Sequence, residues 1–161
     1  GTGHDADSTI LNTFNSNSTL AYNTIVNNNP AVASVSHAFN SNLTQVGNLI
    51  YDLGNLSLNT DGSGSITNYC LYVSEDSAIT GTNITQDTTD PFVDSLNTDF
   101  HIASDALRDV CDTSVYTPSL HDFDYQARAF DDPVNNVDGL YDIGADEDYS
   151  SDVIFKDGFE L

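Results

Sequence analysis

Asp122, Asp124, Asp131, Asp132, Asp138, Asp142, Asp146, Glu147 and Asp148 fall within 27 residues. So dense a set of hard oxygen donors in turn-rich sequence is what Ca²⁺ takes. The spacing is not that of an EF-hand, because no Gly stands at the sixth place counted from Asp122 and Pro133 occupies the twelfth. The expectation is a structural calcium site drawn from Asp122, Asp124, Asp131, Asp132, Asp138 and Asp142. The plain alternative is a solvated acidic face.

Acid–base chemistry is the other use of paired carboxylates, and Asp122 with Asp124 or Asp131 with Asp132 would suit cleavage of an acidic polysaccharide. Such pairs are also common at turns for backbone reasons alone. Arg108, Arg128 and Lys156 are the only Lys and Arg residues, and a formal net charge of -22 repels a polyanion. No Ser-His-Asp order, phosphate loop or metalloprotease motif stands out. No catalytic residue is assigned, and the chain is read as a non-enzyme.

Cys70 and Cys111 are the only cysteines. One disulfide between them suits an exported protein, and closing a loop of about 40 residues contributes on the order of 3–4 kcal/mol. The alternative is two separate buried thiols. Zinc is not expected, since there is no CxxC and the four His are scattered.

With 161 residues and 39% hydrophobic residues, the chain can fill one modest core. Three basic residues against 25 acidic ones exclude a nucleic-acid partner, which needs clustered Lys and Arg, and disfavour an anionic membrane surface. No apolar run is long enough to span a membrane. A charge this one-sided repels itself unless salt or divalent cations screen it, which points to a saline or calcium-containing exterior, or else confers solubility alone. The start, Gly1-Thr2-Gly3-His4-Asp5, reads as a cut end: a processed terminus or a piece of something longer.

The elements that must position these residues announce themselves by repetition. Ala21-Tyr22-Asn23-Thr24-Ile25-Val26, Val46-Gly47-Asn48-Leu49-Ile50-Tyr51 and Ile66-Thr67-Asn68-Tyr69-Cys70-Leu71 each set an Asn among small or apolar residues, after a fainter copy at Ile10-Leu11-Asn12-Thr13-Phe14. A repeat of 20–25 residues in short β-prone runs predicts an all-β right-handed parallel β-helix. Asn23, Asn48 and Asn68 are expected at its corners, in left-handed backbone, stacking their amides as a ladder. Ala33, Val35, His37 and Phe39 alternate with polar or small residues, so this odd row is expected inward, with His37 as a hydrogen-bonded core histidine.

The second half carries Asp90-Pro91-Phe92-Val93-Asp94, Asp99-Phe100-His101-Ile102, the run from Ser104 to Asp112, the run from Asp122 to Arg128, and Tyr141-Asp142-Ile143-Gly144-Ala145-Asp146-Glu147. In this order the segments resemble the C-terminal end of bacterial exported right-handed parallel β-helix proteins of the choice-of-anchor Q type. Asp105, Arg108 and Tyr125 depart from that pattern, standing where it has Pro, Asp and Gly. The closing Ile154-Phe155-Lys156-Asp157-Gly158-Phe159-Glu160 is similar to the tail of some exported proteins of Gram-negative bacteria. The resemblance implies a secreted or surface-displayed repeat protein with no established chemistry.

Residues 1–88 are accordingly expected to form β-helix coils, 89–148 loop-rich C-terminal coils and a cap over the C-terminal end, and 149–161 a tail. The expected role is structural or adhesive, at the cell surface or outside it. The partners would be upstream coils of a longer parent chain or further copies stacked head to tail into filaments. The alternatives are the remnant of a carbohydrate-active enzyme or a calcium-dependent carbohydrate-binding module, either of which would show exposed Tyr among Tyr22, Tyr51, Tyr69 and Tyr72 beside clustered Asp.

Overall fold

Short β-branched and aromatic runs, each stopped by Asn, Ser or Gly, become strands. The computed structural model describes residues 9–27, 34–52, 58–74, 79–112, 114–130 and 139–149. Among the described residues the protein is all-β, with no α-helix. The strands β1 (Thr9–Phe14), β2 (Asn17–Ala21) and β3 (Thr24–Asn27) come first, followed by β4 (Ser34–Phe39), β5 (Asn42–Val46) and β6 (Leu49–Asp52). Next are β7 (Leu58–Asp61), the long β8 (Ser65–Val73) and β9 (Thr82–Gln86). Two short strands, β10 (Phe92–Asp94) and β11 (Asp99–Ile102), complete the set.

Two open parallel sheets result, ordered β1-β4-β7 and β2-β5-β8-β6-β3, with β9 added to β8. Thr9 pairs with Ser34, Ala21 with Val46 and Thr24 with Leu49, each partner 25 residues on. The following step is shorter, because Val46 pairs with Tyr69 at an offset of 23. β8 continues past this point and pairs with both β5 and β6.

Left-handed residues fall in columns along these ladders. One column runs through Tyr22, Gly47, Cys70 and Asn83, the other through Asn15, Asn40 and Gly62. Gly47 has no alternative here: a Cβ on it would sit 2.5 Å from the ring of Tyr22. The Asn ladder therefore differs from expectation in two ways. Asn23 and Asn48 do bond each other (Nδ2 to Oδ1, 3.2 Å), but each follows the left-handed residue rather than being it. Asn68 lies three positions off their column, accepting from Gln45 Nε2 (3.1 Å) and donating to Thr80 O. A second amide ladder, Asn17 to Asn42 to Ser65, runs along the exposed face.

At the end of β4, the only part whose side chains are described, the alternation resolves the other way round. Ala38 is buried while Phe39 stacks on the exposed Phe14 with ring centroids 4.7 Å apart. Alternation defines two faces but not which is inside, and here the rings form an outward stack while Ala38 faces the interior. Ala33 and the side chains of Val35 and His37 lie outside the described residues.

The larger sheet buries both faces. Ile50, Leu71 and Val73 pack on one side with Ile25, Ile79 and Ile84. Val46, Leu49, Tyr51 and Tyr72 pack on the other, against Phe92, Ile102, Leu107, Tyr141 and Ile143. The C-terminal region thus lies along a face of the sheet. Among its described residues the pairings are antiparallel, β10 with β11, Cys111 with Tyr141 and His121 with Ala127, where continued coils were expected. Cys111 is disulfide-bonded to Cys70, whose Cα is 5.7 Å away, and the bond ties this region to β8. Intact mass should accordingly rise by two hydrogens on reduction, with no thiol titrated beforehand; two free thiols in protein made under oxidising conditions would contradict the bond.

Candidate functional site

Tyr141–Glu147 is the hub of the C-terminal region, and a glycine makes it possible. Gly144 has φ +107°, and a Cβ there would stand 2.9 Å from Thr24 Oγ1. Its N–H reaches Gly47 O at 2.8 Å, and the next N–H, of Ala145, reaches Thr24 Oγ1 at 3.0 Å. The segment is thereby pinned to the first two strand triplets.

Its acidic residues are spent on main-chain donors. Glu147 Oε1 accepts from the N–H groups of Ala129 and Phe130, both at 3.0 Å, and Oε2 accepts from Asp142 N–H at 3.3 Å. Asp142 accepts from the N–H groups of Asp109 (2.8 Å) and Asp148 (2.7 Å), and Asp146 Oδ2 from Ile102 N–H (3.0 Å). Burial drives all three carboxyls upward, Asp146 to about 6, Asp142 to about 7 and Glu147 to about 8, against the opposing pull of these bonds.

Arg128 runs through the middle. Its Nη2 donates to Gly144 O at 2.7 Å and to the carbonyls of Asp146 and Asp142 at 3.3 and 3.4 Å, while Nε lies 3.6 Å from Glu147 Oε2. Its guanidinium stands over the Tyr22 ring, 5.0 Å from the centroid. Arg108 pairs with Asp105 and Asp148. Both arginines are therefore engaged in cohesion.

A separate group of side chains gathers where β11 meets the turn at Asp122–Gln126. His101 and Asp99, two apart on β11, share a face, and His101 Nδ1 lies 2.5 Å from Asp99 Oδ1. Nε2 lies 2.7 Å from Asp124 Oδ2. The bonds to Asp99 and then Asp124 raise the imidazole to about 9, so at neutral pH it is a cation held between two carboxylates. Donor atoms of His101, Asp124 and Asp146 all lie within 4.8 Å of one another.

Of the six expected ligands, the three that are described, Asp122, Asp124 and Asp142, do not converge on one point. Asp124 belongs to this cluster; Asp122 stands beside it, its Oδ1 accepting from Asp124 and Gln126 N–H in the turn role that Asp commonly plays. Asp142 is buried elsewhere, holding Asp109 and Asp148. Asp131, Asp132 and Asp138 lie outside the described residues. His101 and Asp146 were missing from the expected set, although Asp99-x-His101 on one strand face was a legible signal. Tyr22, Tyr51 and Tyr72 are core residues and Tyr69 is half-buried, so they do not line an exposed groove. No family model, curated protein or solved structure matches the chain.

Proposed function

We propose that the chain is a segment of right-handed parallel β-helix that acts as a non-catalytic structural or adhesive scaffold outside the cell. The observation that carries this reading is where the chemistry goes. Asp142, Asp146, Glu147 and Arg128 are committed to main-chain groups of the same chain. The in-register parallel ladders, the left-handed columns and the disulfide, which is at home in an oxidising compartment, support it.

Such a scaffold acts through its faces and ends. Among the described residues, β1, β2 and β3 are paired on one side only, which leaves a row of backbone donors and acceptors open to coils of the same kind, from an upstream part of a longer chain or from a second copy. Head-to-tail addition of copies does not close on itself and yields filaments. Sedimentation velocity over a concentration series should show species larger than the monomer, and these should recede in the Thr19→Lys variant, which charges the edge of β2. A monomer at every concentration would remove the self-assembling part of the proposal. Release of sugars from a panel of acidic polysaccharides would replace the scaffold with an enzyme.

A further inference from the structure

The first coil is built like the second, but among the described residues nothing covers it. Ala21, Asn23, Thr24 and Ile25 are half-buried, whereas Val46, Asn48, Leu49 and Ile50, one 25-residue repeat further on, are 0% exposed. Three columns of side chains stop at this edge in mid-pattern. Phe39 covers one face of Phe14 with the rings 7° from parallel, and Phe14 stays 62% exposed because no described ring lies on its other face. The stack has the spacing of the strands, so its next ring belongs one strand up. Asn48 Oδ1 accepts from the N–H and the amide of Asn23, while Asn23 Oδ1 accepts from no described donor. Asn42 Nδ2 donates to Asn17 Oδ1, and Asn17 Nδ2 meets no described acceptor. β1, β2 and β3 also contain no charged residue and no Pro, the usual guards of an open edge.

We propose that this edge takes one further parallel coil of the same repeat, joined ahead of Thr9, with an aromatic ring over Phe14, an amide over Asn23 and a hydrogen-bond acceptor over Asn17. The proposal rests on the scaffold reading above and chooses between the two sources that it left open. A second copy is the poorer occupant for two reasons. At the far end the columns have changed: Asp61 is the partner of Phe39, and the column of Asn23 and Asn48 passes through Leu71 to Ile84. A carboxylate over the face of Phe14 meets the negative side of the ring. The far end is also stepped, since the smaller sheet stops at β7 while the larger one goes on by a strand to β9. A copy seated on β9 would leave the width of one missing strand, about 4.8 Å, beside β7. A coil joined ahead of Thr9 meets no such step, because β1, β2 and β3 are the outermost strands together.

The test joins a second copy of residues 9–33 directly ahead of Thr9, in place of residues 1–8 of the oxidised chain. The comparison is the same fusion whose added copy carries Phe14→Asp and Asn23→Leu, the residue types of the far end. The unaltered added coil should raise the melting temperature by about 4 °C or more, and the altered one should leave it within about 1 °C of the parent chain. Leu49 N–H donates to Asn23 O, and Thr24 N–H holds the same place one coil earlier. Its hydrogen exchange should therefore slow about tenfold or more under the unaltered coil alone. Phe14→Ala in the chain's own first coil, an exposed change that folding tolerates, should cancel much of the gain. Equal protection of Thr24 in both fusions, or none in either, would overturn the proposal and leave the scaffold reading in place. Release of sugars by the chain removes that reading, whatever the added coil does.

Discussion

Arg128→Met should lower the melting temperature by roughly 10 °C, because it leaves three buried carbonyls without their donor at about 1–3 kcal/mol apiece. The arginine side chain is 2% exposed, and three carbonyls of the hub segment have their bonds from its Nη2. Met keeps most of the length and apolar contact, so what is lost is the donors, the charge facing Glu147 and the cation over Tyr22. Lysine should not rescue the loss, because one ammonium cannot reach what the guanidinium fork reaches. Asp105→Asn is the internal control: the side chain of Asp105 is 74% exposed, so its pairing with Arg108 is worth little. Calorimetry of the two variants side by side decides the matter. A loss for Arg128→Met no larger than that for Asp105→Asn would mean that the hub is held mainly by its bonds to Gly47 and Thr24.

How far the fold could be read from the residues depended on punctuation. The step from Asn23 to Asn48 was legible because both copies are bounded by small residues and turn formers, and the pairing of Ala21 with Val46 follows that register. The third copy was read three residues early. From Tyr69 to Val73 the sequence is an unbroken apolar run, and the residue that turns left-handed there is Cys70, a type that carries no turn signal. Tyr22 hid the first corner in the same way, while Gly47 marked the second. The apolar runs Leu49-Ile50-Tyr51 and Leu71-Tyr72-Val73 did hold one further signal: strands without polar alternation are covered on both faces. Here the second cover is the C-terminal region lying along the sheet.

The candidate site was less legible because nearness in sequence stood in for nearness in space. The acidic residues from Asp122 to Asp148 were grouped by count, but burial divides them. Glu147 and Asp142 turn inward to main-chain N–H groups, whereas Asp124 faces His101, 23 residues before it. Only the disulfide could be had from counting, since two cysteines allow one pairing.

In chelator, so that no cation masks the effect, the protein should be most stable near pH 5 and lose on the order of 10 °C in melting temperature between pH 5.5 and pH 9. Glu147 is raised from 4.5 to about 8, Asp142 and Asp146 from 3.8 to about 7 and about 6, and His101 from 6.5 to about 9. A group whose folded value lies above its unfolded value contributes stability that is complete below the unfolded value and is lost as pH rises through the folded one. All four therefore act in the same direction, over a window opening near pH 4 and closing near pH 9. Each displaced unit is worth about 1.4 kcal/mol before coupling, and the half-exposed His101 counts for less because solvent screens its pairs. A few kcal/mol in total, at about 2–4 °C each, gives the fall expected. Below pH 4 the trend reverses, because Asp87, Asp99 and Asp112, held down by their hydrogen bonds to Thr89, His101 and Ser114, must then take up protons. Glu147→Gln keeps one acceptor oxygen and cannot ionise, so it should flatten the alkaline limb while costing little at pH 5.5. A melting temperature that holds or climbs from pH 5.5 to pH 9 would show that the hub carboxyls are ionised and content in the fold, their main-chain donors outweighing burial.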